Sequence, residues 1–300
     1  MPLPTQKTQP DMRLQSKKVL LYGSPKVGKS TFCSHLPNAL FLATEPGLDS
    51  LSRYEVPITS WDDILDACAD IAAGDHQYQT IIIDTIDNAW RYCTAWICKK
   101  HRVEYEGDLQ YGKGSALVNT EFHRVITKMS NLPYGLWMIS HAKSITVEGR
   151  STKDFTKTVP TVPDRARNVV VAMADFILYC SMDEKMKLDK FVQTRTIHTK
   201  PNLYFEAGDR TGLLPEEIPM DCEKFMACFD PFASDVMPVE MEAMVSISPI
   251  TEASDGTISV DVTAEQPTQP TTDTDMADID ALDAILPKPA PGTSTRTRKQ

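Results

Sequence analysis

Apolar residues in the first 234 positions follow two rhythms. Short, nearly unbroken apolar runs occupy Lys18–Gly23, Ala39–Thr44, Thr80–Asp84 and Tyr134–His141, with later ones at Asp175–Ser181 and Lys190–Thr199. Runs of this length, rich in Val, Ile, Leu and aromatics, predict strands buried on both faces, as in a parallel sheet. Between them the apolar positions recur every three to four residues. That spacing predicts helices from about Lys29, over Trp61–Ala73, Thr85–Lys100 and Ser115–Ser130, and a closing helix at Asp221–Phe229. Strand alternating with helix implies an α/β fold, with a mostly parallel central sheet flanked by helices. No internal repeat is visible.

The pattern stops near residue 235. Beyond it Pro, Thr, Ser and Asp dominate and aromatics are few. Such a segment buries too little apolar surface to offset its ordering entropy, so a disordered tail over 235–300 is expected. Within it, Met276, Ile279, Leu282 and Ile285 or Leu286 recur at helical spacing over 275–286. Two readings stay open there: a chance apolar cluster, or a short acidic helix that docks on a protein partner. The expected division is a flexible N-terminal arm (1–16), one globular domain (17–234) and the tail.

Composition narrows the class. No stretch of about 18 uncharged apolar residues exists, so no membrane span is expected. The start, MPLPTQKTQP, lacks the apolar core of a secretory signal. Seven cysteines include no C-x-x-C, and Cys93, Cys98 and His101 form at most half of a zinc site. Reduced thiols in a cytoplasm are the expectation. The net charge of −10 is unevenly placed. From Asp235 on lie twelve of the 41 acidic residues and four of the 31 basic ones, so the tail carries −8 and the body only −2. A nucleic-acid partner for the body is therefore not excluded by charge.

The chemistry begins at "LLYGSPKVGKSTF", Leu20–Phe32. Gly23, Gly28, Lys29 and Ser30 satisfy G-x-x-x-x-G-K-[ST], at the end of an apolar strand and the start of a helix. Gly23, Ser24, Pro25, Lys26, Val27, Gly28, Lys29, Ser30 and Thr31 would wrap a triphosphate with backbone N–H groups, at the positive end of a helix. Lys29 would reach the β- and γ-phosphates, and Ser30 would give its hydroxyl to Mg²⁺. ATP and Mg²⁺ are the expected cofactors. Asp84, ending "TIIID", is a candidate for the Mg²⁺ water shell, or simply a turn cap. Thr85 follows it, where many remodelling ATPases carry a catalytic Glu. Glu45, at the tip of the next apolar run, is the candidate to orient the attacking water, with a solvated loop Glu as the alternative.

This order resembles the RecA-type recombinase cores: phosphate loop, a Glu ending the next strand, an Asp ending a third, a polar residue ending a fourth. In that family the fourth-strand residue is a sensor, usually Gln; here "WMISHAK" puts His141 there, which a strand-capping role would also explain. The resemblance implies two DNA-facing loops. One is His101–Ala116. The other is Lys143–Arg167, with Lys143, Arg150, Lys153, Lys157, Arg165 and Arg167 against three acidic residues, plus Phe155 to stack on a base. An ordinary solvated hairpin is the competing reading. It also implies that a basic residue of the final strand reaches a neighbouring subunit's ATP; Arg195, Lys200 and Arg210 are the candidates.

"AGDRTGLLPEEI", "YGKG" and H-x-K narrow the resemblance to small phage ATPases of RecA-like fold, the nucleotide-binding or Sak-type single-strand annealing proteins, over about residues 17–229. That group implies an ATPase stimulated by single-stranded DNA, acting in recombination or replication by annealing strands. It further implies a homo-oligomer, ring or filament, in the cytoplasm of a bacterium or phage-infected host. Two other classes compete: a P-loop ATPase remodelling protein or duplex DNA without annealing, and a small-molecule kinase.

Overall fold

The computed structural model describes residues 3, 5–148, 153–187 and 190–229. Arg150, the acidic tail and its expected 275–286 helix lie outside the described residues. In chain order the elements are β1 (Lys18–Gly23), α1 (Lys29–Ser34), β2 (Ala39–Ala43), β3 (Tyr54–Pro57), α2 (Trp61–Ala73), β4 (Thr80–Asp84) and α3 (Ile86–His101). Then come α4 (Lys113–Ser130), β5 (Gly135–Val147), β6 (Phe155–Pro160), α5 (Asp164–Met173), β7 (Phe176–Lys187), β8 (Lys190–His198), β9 (Gly208–Asp209), β10 (Glu217–Pro219) and α6 (Cys222–Ala227).

The main strand order is β10-β8-β7-β1-β5-β4-β2-β3. From β7 to β3 every neighbouring pair is parallel. β8 and β10 add an antiparallel edge, β9 pairs with β7, and β6 folds back antiparallel on the outer half of β5. This is the mostly parallel sheet of a P-loop NTPase, and it separates the strand of the phosphate loop from the strand of Asp84 by one other, β5. In register, Gly23 lies opposite His141, and Ala43 opposite Asp84. Four strand tips therefore meet at one edge of the sheet.

Alternation along the strands assigns each residue to a layer. Leu20, Leu40, Leu42, Ile81, Ile83, Leu136 and Met138 face a core closed by α2, α3, α4 and α5. Val19, Leu21, Phe41, Ile82, Trp137 and Ile139 face the other core, closed by α1 and α6 through Phe32, Cys33, Cys222 and Phe225. Both faces being covered explains the continuous apolar runs. In the larger core Phe122 of α4 packs against Trp61 and Trp90, with ring centroids 6.1 and 5.0 Å away. The start of α2 is set by a capping box. Asp63 N–H donates to Ser60 Oγ at 3.2 Å, and the Ser60 N–H donates to Asp63 Oδ2 at 2.8 Å.

The structure departs from the sequence reading in several places, the edge strand β3 among them. Two expected strands run on: β5 to Val147 and β7 to Lys187, past the sheet and into antiparallel ribbons. The expected loop Lys143–Arg167 is the β5–β6 hairpin followed by the start of α5, because Lys143–Val147 pairs with Phe155–Val159. His101–Ala116 contains two 3₁₀ turns, Glu106–Asp108 and Gln110–Gly112, before α4 begins. Within the expected arm, Leu14–Ser16 forms a 3₁₀ turn anchored by the buried Leu14.

Candidate functional site

The loop between β1 and α1 is shaped by two glycines. A Cβ on Gly23 would lie 2.6 Å from the Cys180 carbonyl oxygen, so only glycine lets β1 and β7 approach there. Gly28 has φ 108°, a left-handed conformation that side chains resist. Lys29 follows at once and is 5% exposed. Its Nζ turns back to donate to the carbonyls of Gly23 at 2.9 Å and Ser24 at 3.1 Å. Burial lowers its proton affinity, opposed by Cys180, Asp84 and Glu45. The ammonium is thus held inside the loop on weak neutral acceptors, where an anion would be the better partner.

Ser30 Oγ donates to Asp84 Oδ2 at 2.6 Å. Asp84 is buried, and that burial raises its pKa against the Ser30 bond and Lys29. A hydroxyl and a carboxylate this close are hard oxygen donors that suit Mg²⁺. Among the described residues no cluster of three or more His, Cys, Asp or Glu could hold a metal. Mg²⁺ does not need one, since it takes one or two protein oxygens and completes its shell with phosphates and water. Thr85, next to Asp84 across a cis peptide, is 1% exposed and faces Thr44, whose Oγ1 accepts its N–H at 2.6 Å. Thr85 is not among the residues that line the cleft shared by Lys29 and Asp84.

Glu45 and His141 complete the edge. His141 Nε2 lies 3.4 Å from Glu45 Oε1, and Asn88 Nδ2 donates to Glu45 Oε2 at 3.3 Å. The Glu45 carboxylate raises the His141 pKa above the ordinary imidazole value, and the imidazole lowers that of Glu45. Lys29, Ser30, Glu45, Asp84 and His141 all line one cleft of about 420 Å³, with Pro25, Lys26, Gly28 and Thr31. A second cleft of about 470 Å³ shares Gly28 and Thr31 and runs between α1 and α6, past Arg195 and Met220.

The remaining candidates scatter. Lys143, Phe155 and Lys157 share one face of the β5–β6 hairpin, since Lys157 pairs with Ile145 and Phe155 with Val147. Lys143 and Lys153 are exposed. Lys157 and Arg167 both reach Glu206, at 3.6 and 3.3 Å, and Arg165 lies on α5 in a groove against α4. Arg195 sits over the loop of its own chain: a Cβ on Gly28 would meet its Nη1 at 3.2 Å. Lys200 pairs with Asp209 at 2.9 Å, and Arg210 with Asp175 at 3.2 Å.

Three polar residues at this edge escaped the sequence reading: Thr44, Asp87 and Asn88. The only signal for the last two is the polar pair "DN" three residues after Asp84 in "IIIDTIDN". Asp87 is 9% exposed and is a neighbour of the edge electrostatically, raising the proton affinity of both Lys29 and His141.

A parallel α/β sheet with this loop, a serine–carboxylate pair and a buried lysine defines a P-loop nucleotide-binding ATPase domain. The AAA domain family model matches residues 15–211, and the chain belongs to that family. It is also similar to an SPbeta prophage-derived uncharacterized protein, YorG, of Bacillus subtilis (strain 168), with 28% identity over 186 residues, 59% of this chain. The match spans 55% of that relative's length. Among the described residues no helix is long and apolar enough to cross a membrane.

Proposed function

We propose that this ATPase domain couples ATP binding and hydrolysis to single-stranded DNA held on the β5–β6 hairpin, in the manner of a phage annealing protein. The observation that carries the reading is the continuity of β5. One strand leaves the sheet interior at Ile139, passes His141 in the nucleotide cleft, and continues as the hairpin arm that bears Lys143. The hairpin face combines Lys143, Phe155 and Lys157, which suits phosphates beside stacked bases.

In the cleft, Lys29 and the loop amides hold the triphosphate. Ser30 and Asp84 would hold Mg²⁺, which would supply charge neutralisation to the triphosphate. Glu45 orients the attacking water, and His141 senses the γ-phosphate through its contact with Glu45. Arg195 adds positive charge over its own chain's loop. Assembly with further copies, ring or filament, belongs to the same reading, with Lys200 and Arg210 as the remaining candidates to reach a neighbour's nucleotide.

ATPase activity measured with and without single-stranded DNA tests this. Hydrolysis should rise on adding DNA to the native chain. Lys143→Glu with Lys153→Glu should weaken DNA binding about tenfold or more at low salt, and lower its salt slope by about two, while ATP affinity stays unchanged. No DNA binding at low salt, or unchanged DNA affinity in the double variant, would sink the reading.

A further inference from the structure

Thr161 stands where the hairpin returns to the cleft, directly after β6 and just before α5. Its N–H donates to the His141 carbonyl at 2.9 Å. Its hydroxyl donates to Asp87 Oδ1 at 2.6 Å. One residue therefore joins the strand that leaves the cleft, the return arm of the hairpin, and the first turn of α3.

Two atoms beside this junction have no partner. Asp87 Oδ2 is buried and accepts nothing, and His141 Nδ1 is buried and bonds to nothing. A polar atom left buried and unmatched is unfavourable, so such atoms in a folded protein ask for a reason. These two are complementary. One is a carboxylate acceptor, and the other is a ring nitrogen that donates once it carries a proton. Both belong to residues bonded to Thr161. The other charged groups facing the ring are Glu45 and Lys29.

We propose that Asp87 and Thr161 are a positioning pair for His141: with nucleotide in the cleft, Asp87 Oδ2 accepts a hydrogen bond from His141 Nδ1, and Thr161 carries the movement to the base of the hairpin. The pair acts through His141 and does not touch the substrate. The role of the hairpin rests on the DNA reading above; the link between cleft and hairpin does not. Its energetic logic is that the Asp87–His141 bond matches two atoms that otherwise lack partners, and nucleotide that contacts the His141 ring better in that arrangement shifts the chain towards it.

The test uses the full chain with Mg–ATP and Mg–ATPγS. Thr161→Val removes the hydroxyl at nearly constant volume. It should lower kcat about tenfold and leave KM for ATP within about twofold, and Thr161→Ser should restore kcat. Amide hydrogen exchange over residues 143–159 should change on adding Mg–ATPγS in the native chain and in Thr161→Ser, and not in Thr161→Val. Asp87→Asn should give the same kcat loss and serves if Thr161→Val fails to fold. The proposal is overturned by a native hairpin whose exchange ignores nucleotide, by an intact response in Thr161→Val, or by a kcat loss that serine does not rescue. Neither readout uses DNA. A chain that passes both but binds no DNA keeps the link and loses the DNA reading.

Discussion

Lys29→Ala should lower kcat/KM for ATP by about 10²–10³-fold, the scale on which removing one fixed charge-stabilising donor acts. The loss should appear first as failure to bind nucleotide, read by fluorescence titration. The ammonium lies almost fully buried on the carbonyls of Gly23 and Ser24. Among the described residues no other cation bonds to those two carbonyls; Lys26 lines the same cleft, and Arg195 approaches from the Gly28 side. Lys29→Met separates charge from packing. It keeps an unbranched apolar chain, so the melting temperature should stay close to native while nucleotide binding is lost. Retained binding in both variants would mean that the loop holds phosphate by its backbone alone.

Glu45→Gln should act on the other kinetic constant. A water-orienting base contributes about 10²–10⁴-fold, so kcat should fall by that order while nucleotide affinity is kept. The same variant should move His141. In the native chain Glu45 holds the imidazole above its ordinary 6.5, and His141 holds the carboxylate below its ordinary 4.5. A raised histidine stabilises fully below its unfolded pKa and loses that contribution as pH rises through the folded value. A depressed carboxylate stabilises above its unfolded pKa and loses it as pH falls through the folded value. The pair therefore supports the fold fully only between about 4.5 and 6.5. In Glu45→Gln the His141 midpoint, followed by NMR, should drop. A midpoint that stays put would detach His141 from Glu45, and an unchanged kcat would assign the water to another residue.

The strand tips were legible because buried parallel strands write themselves as short apolar runs, and the chemistry sits at their ends. "TIIID" ends on Asp84, "ALFLAT" leads to Glu45 and "WMISH" ends on His141, so cleft residues followed from strand ends. β3 was missed for the converse reason. It is an edge strand with all four residues exposed, and it ends in a proline. β6 was hidden by its charges, since Phe155, Lys157 and Val159 alternate with threonines in a segment read as a basic loop. α5 carries three consecutive valines, poor helix formers, and is held by burying Ala166, Val169 and Val170. Asp87 and Thr161 are 74 positions apart, and nothing local foretells their bond. The same holds for Arg195, whose place over its own chain's loop depends on β8 lying beside β7 and two strands from β1.

β1 has a consequence for ligand linkage. Val19 to Tyr22 are wholly shielded, with parallel neighbours on both sides. The phosphate loop thus hangs from a strand that cannot fray without dismantling the sheet. The nucleotide site is lost only when the whole domain unfolds, so binding free energy adds to the stability of the whole domain. At a hundredfold excess over Kd that is about 2.7 kcal/mol. A ligand-dependent rise in melting temperature would therefore reveal occupancy of the cleft even in a variant that no longer turns over.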